Sequence, residues 1–251
     1  MAKGWNTQSN TRSRARGAKV RVKTARGRKT SSTRWLQRQL NDPYVAEARR
    51  LGYRSRAAFK LAELDDRYEL IKGAMRIVDL GCAPGGWTQV ITERCPKGAQ
   101  VIGIDLQEVE PIPGAKIWVM DFLEEGAEEE LMEALDGPAD LVLSDMANSA
   151  TGHRKTDQIR TMALCEAALD FAIKVLAEGG TFAAKVLQGG SDNELMARMN
   201  KHFRTVKHAK PPSSRQDSKE WFVVAQGFRR HAPADVPDDA QEDAAAGEET
   251  S

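Results

Sequence analysis

Hydrophobic and charged positions change their spacing along this chain. Between residues 41 and 70, apolar side chains recur at helical intervals, which predicts two short helices, the first capped by Asp42 and Pro43. From residue 75 onwards, short apolar runs alternate with longer amphipathic stretches. The runs predict strands at 75–81, 100–106, 116–122, 139–145, 180–187 and 220–228. The stretches predict helices near 86–95, 124–135, 157–177 and 191–203. This alternation indicates an α/β fold, a mostly parallel sheet with helices on both faces.

Acidic residues recur near the ends of the predicted strands. The first four strands carry Asp79, Asp105, Asp121 and Asp145 in turn. One acid at such a position more often caps a helix than binds a ligand. Ligands of open α/β sheets collect at the carboxyl ends of the strands, so four acids along one edge favour a binding site.

A glycine-rich loop connects the first predicted strand to its helix. The segment VDLGCAPGGWTQV (78–90) contains Gly81, Gly85 and Gly86, which allow the backbone to turn and approach a ligand closely. The helix that follows offers its N-terminal amides. Pro84 removes an amide donor that a pyrophosphate-binding loop needs. The loop therefore suits a ligand without a pyrophosphate.

Two of the strand-end acids indicate which ligand this is. Asp105 ends the second predicted strand, where a carboxylate can accept both hydroxyls of a ribose. Asp121 and Phe122 end the third, where they could contact an adenine amino group and ring. A ribose and an adenine without a pyrophosphate indicate S-adenosylmethionine as the cofactor.

The predicted strand at 180–187 contains one charged residue, Lys185, among apolar neighbours. Burial of an unpaired ammonium is costly, and the simplest explanation is a lysine that extends from a strand end to solvent. A free lysine is protonated at neutral pH. Burial and a neighbouring cation, for which Lys60 is a candidate, favour the neutral form that can act as a base.

Charge is distributed unevenly along the chain, although the net charge is only +1. The first 41 residues hold twelve basic residues and no acid, and the residues after Arg230 hold seven acids and no lysine or arginine. We expect a basic, disordered arm at 1–33, a folded domain at 34–229 and an acidic, disordered tail at 230–251. Such an arm favours nucleic acid as the partner, because it has no apolar face for a membrane.

The remaining composition limits the compartment in which the protein is expected to function. Three cysteines without CxxC spacing argue against a disulfide framework and against a zinc site, and they suit a reducing compartment. No apolar run approaches the ~20 residues that cross a bilayer, and the N-terminus lacks the apolar core of a secretory signal. It resembles a transit peptide in composition, but a solvated basic arm is the favoured reading. We expect a cytoplasmic monomer without a metal.

Five segments together resemble the FtsJ/RrmJ family of ribosomal RNA 2′-O-ribose methyltransferases. They are RSRAAFKL (54–61), VDLGCAPGGWTQV (78–90), LVLSDMA (141–147), GGTFAAKVLQG (179–189) and SSRQDSKEWFVVA (213–225). The resemblance covers roughly residues 34–229, with the motifs in family order and spacing. It implies a Rossmann-like, S-adenosylmethionine-dependent methyltransferase fold with an antiparallel last strand.

The resemblance also implies the site residues. A Lys-Asp-Lys-Glu set that surrounds the target hydroxyl in the family falls here on Lys60, Asp145, Lys185 and Glu220. Lys185 is expected to act as general base or to orient the hydroxyl, and Asp145 to position Lys185 near the donor methyl. Lys60 and Glu220 are expected to set the local charge and hold the ribose. The expected cofactor contacts are Gly85, Trp87, Asp105, Asp121 and Asp145.

One position departs from the family pattern. Asn148 stands where the usual motif has proline, which leaves the shape of the substrate loop open. The basic loop at 147–157 and the segment KPPSSRQDSKE (210–220) both lie near the predicted active edge, where contact with RNA phosphates is expected.

The implied substrate is a uridine ribose in the A loop of large-subunit (23S) ribosomal RNA, with assembled large subunits preferred. The ribose of a tRNA anticodon loop is the alternative target, and a non-catalytic ribosome-assembly factor that binds the cofactor is the alternative class. A cytosine C5-methyltransferase requires a cysteine after the fourth strand, where this chain has Met146 and Ala147. An amino-directed enzyme requires an Asn/Asp-Pro-Pro-aromatic motif there, which is absent.

Overall fold

The computed structural model describes residues 21–22, 30–148, 151–187 and 192–230. Most of the predicted basic arm, and the predicted acidic tail after Arg230, lie outside the described residues. Three helices precede the sheet: α1 (Thr30–Leu40), α2 (Pro43–Leu51) and α3 (Ala57–Tyr68). The two helices predicted between residues 41 and 70 are α2 and α3, whereas α1 was not predicted. The predicted domain boundary at residue 34 falls inside α1.

The cap predicted for α2 is present. The Asp42 carboxylate accepts a hydrogen bond of 3.1 Å from the Tyr44 amide, with Pro43 as the first helical residue. At the other end Gly52 adopts a left-handed conformation, with φ at 81°. Asp42 therefore begins the helix, and Gly52 ends it after nine residues, where the chain turns towards α3.

Strands and helices alternate after α3, as the sequence predicts. They are β1 (Arg76–Leu80), α4 (Gly86–Arg94), β2 (Gln100–Asp105), β3 (Lys116–Val119), α5 (Ala127–Leu135), β4 (Ala139–Ser144), α6 (Arg154–Val175), β5 (Leu176–Leu187), α7 (Asp192–His202), β6 (Phe203–Ala209) and β7 (Glu220–Phe228). The strand order is β3-β2-β1-β4-β5-β7-β6, and among the described strands β7 alone runs opposite in direction to the other six. The predicted fold class, with its antiparallel last strand, is confirmed.

Helices cover both faces of the sheet. On one face, α5, α6 and α7 pack over a core that contains Leu131, Phe171 and Met199. On the other face, α3 and α4 pack over a core that contains Leu61 and Ile91. Apolar strands that are buried on both sides read as continuous hydrophobic runs, which is why the sequence located them.

The sequence missed β6 altogether. Along this strand only Phe203 and Ala209 are buried, because β6 is an edge strand and most of its side chains face solvent. Its sequence FRTVKHA therefore lacks the apolar run that marked the other strands. None of the helices in the described part of the chain is long and apolar enough to cross a bilayer.

Candidate active site

A cavity of about 340 Å³ opens at the carboxyl ends of β1, β2, β3 and β4. Three of the predicted acids line it: Asp105, Asp121 and Asp145. Apolar walls are provided by side chains that include Leu106 and Phe122. The cavity combines several carboxylates with apolar surface, as expected of a site for an organic cation.

The glycine-rich loop forms one wall of this cavity through a close approach to the end of β4. Gly81 has a φ of 79°, and a β-carbon there would lie 2.8 Å from backbone atoms of Met146. The amides of Gly81 and Cys82 both donate to the Ile104 carbonyl, at 2.9 and 3.0 Å. A glycine is therefore required, because any side chain would push the loop away from the residue that follows Asp145.

The carboxylate of Asp105 is fixed from two sides. One oxygen accepts from the Ala83 amide and the other from the Gln107 amide, both at 2.9 Å. A carboxylate has about four acceptor positions, so two remain for hydroxyl groups in the cavity. Asp121 is held similarly, because it accepts from the Leu123 amide at 3.0 Å.

Asp79 does not line the cavity, in contrast to the other three strand-end acids. Its side chain is fully buried below the loop, where one oxygen accepts a 2.7 Å hydrogen bond from the Thr88 hydroxyl. Its other oxygen has no hydrogen-bond partner among the described residues. Burial raises the pKa of Asp79 to about 7, and the negative charges of Asp145 and Asp105 add to this effect.

Lys185 reaches Asp145 across two neighbouring strands. Its ammonium donates to the Asp145 carboxylate at 2.9 Å and to the Asp145 backbone carbonyl at 2.6 Å. The lysine is 9% exposed. This lysine is therefore not a side chain extended into solvent but a buried group that shares a carboxylate with the cavity.

Lys60 and Glu220 form a second ion pair next to the first. Lys60 belongs to α3 and its ammonium lies 5.9 Å from the centre of the Phe222 ring. Phe222 is the residue of β7 directly opposite Lys185, and such pairs point to the same face of a sheet. The four residues of the predicted Lys-Asp-Lys-Glu set thus lie as two ion pairs around Phe222.

The two other predicted cofactor residues do not line the cavity. Gly85 is the N-cap residue directly before α4, with φ at 104°, and a β-carbon there would lie 2.7 Å from the Ile112 side chain. Trp87 is buried, donates to the Ala57 carbonyl at 2.9 Å and packs against Phe222, with ring centres 5.6 Å apart. In this structure Trp87 connects α4 to the start of the helix that carries Lys60.

Comparison with known proteins identifies the family. The family described as FtsJ-like methyltransferase matches residues 53–228, which include most of the chain and all seven described strands of the sheet. The chain belongs to the FtsJ-like methyltransferase family. The predicted resemblance is confirmed.

Individual relatives are consistent with membership of the FtsJ-like family. Ribosomal RNA large subunit methyltransferase E of Parvibaculum lavamentivorans is 56% identical over 234 residues, which cover 89% of this chain and 92% of the relative. The protein of the same name from Erythrobacter litoralis is 62% identical over 209 residues, covering 83% and 94%. A solved structure of a candidate ribosomal RNA methyltransferase from Plasmodium falciparum has a TM-score of 0.62 and 33% identity, and covers 70% of this chain and 98% of that one.

Sequence reasoning missed Arg54, although it opens one of the segments that resemble the FtsJ-like family. Its guanidinium donates to the carbonyls of Pro84, Glu110 and Pro111, at 3.5, 2.5 and 2.9 Å. These bonds hold the segment after β2 against the glycine-rich loop. Backbone carbonyls leave no trace in a sequence, so only the conspicuous RSRAAFKL segment could have drawn attention to this arginine.

Sequence reasoning also missed a second cavity of this FtsJ-like family member. It has a volume of about 630 Å³ and lies between the α1–α2 junction and the 210–219 loop. In its wall, Asp42 binds the guanidinium groups of Arg56 and Arg215, each at 2.9 Å. The same loop is fastened to α3, because Glu63 accepts from the amide and hydroxyl of Ser213 at 2.8 and 2.7 Å.

Proposed function

We propose that this protein transfers a methyl group from S-adenosylmethionine to the 2′-oxygen of a uridine ribose in the A loop of large-subunit ribosomal RNA. Family membership supports a methyl transfer, and the relatives named ribosomal RNA large subunit methyltransferase E support the RNA substrate. The observation that supports a ribose hydroxyl as the methyl acceptor is the arrangement of Lys60, Asp145, Lys185 and Glu220 as two ion pairs. The assembled large subunit is the proposed form of the substrate.

The cavity beside Asp145 fits the proposed cofactor. Asp105 has acceptor positions left for the two hydroxyls of a ribose, and Asp121 with Phe122 suits an adenine. The carboxylates together favour a cation such as a sulfonium. When bound, S-adenosylmethionine supplies an electrophilic methyl group.

Lys185 and Asp145 activate and orient the hydroxyl in this proposal. A ribose hydroxyl is a weak nucleophile at neutral pH, and a positioned base is worth roughly 10²- to 10⁴-fold. An ammonium nitrogen has three donor positions, and a neutral amine has two donors and one lone pair. Asp145 accepts two hydrogen bonds from Lys185 Nζ. The third position is left for the 2′-oxygen. A neutral Lys185 accepts the hydroxyl proton at Nζ, whereas an ammonium donates to the oxygen and orients it.

Lys60 and Glu220 hold the ribose on the other side of Phe222. Their ion pair is mostly buried, with side-chain exposures of 12% and 22%. Glu220 can accept a hydrogen bond from a ribose hydroxyl, and Lys60 can donate to a ribose or phosphate oxygen.

The substitution Lys185→Ala tests the role of the lysine. We expect methyl transfer to fall at least 100-fold, the lower part of the range for a lost base, while affinity for S-adenosylmethionine stays within twofold of wild type. The exposed Lys97→Ala, which also removes one lysine, is the control and should retain activity. Full methyl transfer by Lys185→Ala would overturn the assignment.

The substrate is tested with three acceptors: assembled large subunits, free large-subunit ribosomal RNA and tRNA, with the methylated position mapped in each. We expect transfer to a uridine 2′-oxygen in large subunits. Transfer to a tRNA anticodon loop would replace the substrate. Cofactor binding without transfer to any of the three would favour a non-catalytic assembly factor.

The location, the oligomeric state and the domain organisation of the protein are part of the same proposal. The protein acts as a cytoplasmic monomer on RNA, with a basic arm before α1, a catalytic domain that includes α1 to β7, and an acidic tail after Arg230. The twelve basic residues of the first 41 positions support an RNA-binding role for the arm. Sedimentation of the free protein tests the monomer.

A further inference from the structure

The edge strand β6 concentrates positive charge. Residues 201–210, KHFRTVKHAK, contain four lysine or arginine residues and no acid. Without the twelve N-terminal bases and the seven C-terminal acids, 25 bases and 29 acids remain for residues 42–230. This short segment is therefore strongly cationic within a body that is slightly acidic. We define the basic strip as Arg204, Lys207, His208 and Lys210. Because side chains alternate along a strand, Lys207 and His208 project to opposite sides of this sheet edge, and the strip comprises both sides.

The cations of the basic strip are available to a partner. Arg204, Lys207 and His208 are exposed. Within the described part of the chain, no carboxylate forms an ion pair with Arg204 or Lys207. The field at the start of β6 is positive: the pKa of His202 is lowered by burial and further by Arg198, Arg229 and Lys201.

The basic strip leads towards the proposed active site. Strand β6 pairs with β7 so that Ala209 lies opposite Phe222, next to Glu220. At this end Lys210 donates to the Ser218 carbonyl at 2.8 Å, and its ammonium lies 5.8 Å from the Trp221 ring centre. Lys210 follows Arg204 by six positions of extended chain, which corresponds to about 20 Å.

We propose that the basic strip binds the phosphate backbone of the substrate RNA at nucleotides away from the methylated ribose. This inference rests on RNA as the substrate, as proposed above, and it adds a contact surface outside the Lys-Asp-Lys-Glu set. Lysines on an edge strand also prevent pairing with another chain. That role needs no alignment with the active site, whereas the strip ends beside Glu220. The RNA substrate proposed for this active site is a polyanion, which such a row of cations would attract.

The double variant Arg204→Gln/Lys207→Gln tests the strip. The matched control is Lys97→Gln/Lys116→Gln, which removes two exposed positive charges on the opposite side of the sheet, where Lys116 begins the other edge strand β3. Affinity for large-subunit ribosomal RNA is measured over a series of salt concentrations. Methyl transfer is measured as KM and kcat, S-adenosylmethionine affinity by calorimetry, and folding by thermal unfolding.

We expect the strip variant to bind the RNA about tenfold more weakly at moderate salt. Its plot of log affinity against log salt should be shallower by about two, because each lost phosphate contact removes nearly one unit of slope. The KM for RNA should rise similarly, while kcat and cofactor affinity stay unchanged. The control variant should resemble wild type in all four measurements.

RNA affinity and salt slope equal to those of the control would overturn the strip proposal. Self-association of the strip variant without loss of RNA affinity would overturn it as well, in favour of the edge-guarding role. The proposed function fails separately, if wild-type protein does not methylate ribosomal RNA at a 2′-oxygen. In that case a specific loss of RNA affinity in the strip variant would still support the strip.

Discussion

Asp79 shows how much a single buried side chain can influence this domain. The residue lies in β1, directly before the glycine-rich loop, and its partner Thr88 lies in α4. One hydroxyl cannot compensate for the loss of hydration of a carboxylate, so the neutral form is favoured. Asp79 therefore connects β1 to α4 at the cost of a charge-burial penalty that depends on pH.

The pH dependence of stability has a definite sign at this residue. Burial raises the pKa of Asp79 from 3.8 to about 7, so the folded state holds a proton that the unfolded chain releases. The stabilisation that this proton provides is complete below about pH 4 and is lost as the pH rises through 7. Asp79→Asn removes the titration. We expect the free energy of unfolding of the variant to rise relative to wild type between pH 4 and 8, measured by urea unfolding.

A second variant sharpens this test. The Thr88 hydroxyl stabilises the charged form of Asp79 and so opposes the rise of its pKa. Thr88→Val removes the hydroxyl and keeps the volume, and it should move the pH-dependent change in stability to higher pH. A constant difference between wild type and Asp79→Asn at every pH would contradict this account.

At the scale of elements, the helices before the sheet are fastened to the loop that precedes β7. Asp42 caps α2 and also binds Arg56, at the start of α3, and Arg215, in the 210–219 loop. Burial lowers the pKa of Arg56, and the Asp42 carboxylate opposes this shift. One carboxylate therefore joins three segments that surround Lys60 and Glu220.

Loss of this carboxylate should loosen all three segments. Asp42→Asn retains an oxygen that can cap α2 but removes the charge between the two guanidinium groups. We expect the free energy of unfolding to fall by about 2 kcal/mol, less than for a fully buried pair because Arg215 is partly exposed. Hydrogen exchange should accelerate in the 210–219 loop.

The exposed pair of Glu47 and Arg50 provides the control for Asp42. Glu47→Gln breaks an ion pair whose side chains are 39% and 66% exposed. Such a pair contributes less than about 1 kcal/mol, so stability should change little. Equal effects of the two substitutions would mean that Asp42 is not a structural junction.

At the scale of the whole molecule, charge is distributed unevenly between the two ends of the chain and its body. A slightly acidic body that binds a polyanion needs cations supplied locally. The basic strip and the twelve basic residues of the first 41 positions are the two concentrations of such cations. The proposed RNA contact surface is thus separate from the acidic cavity proposed for the cofactor.

Deletion of residues 1–29 tests the contribution of the arm. This deletion preserves α1, which begins at Thr30, and removes ten of the twelve basic residues. We expect weaker binding of large-subunit ribosomal RNA and a shallower salt dependence, with S-adenosylmethionine affinity unchanged. An equal loss of RNA and cofactor affinity would mean instead that these residues belong to the fold.

The sequence by itself predicted most of the elements in their order, and its resemblance to the family implied the residues of the site. Apolar runs located six of the seven strands described, including the edge strand β3 with its run KIWV, and the family motifs named Lys60, Asp145, Lys185 and Glu220. The edge strand β6, FRTVKHA, has no such run, which is why it escaped prediction. The order of the strands within the sheet could not be predicted either, because no local sequence pattern indicates it.

Only the tertiary structure decided which of these groups meet. It separated Asp79, buried below the loop, from the three acids that line the cavity. The sequence predicted that Trp87 contacts the cofactor. The structure places Trp87 in the core between α3 and α4. The physical reason is that burial and contact depend on strand order, register and helix packing, which join residues as distant in sequence as Asp42 and Arg215.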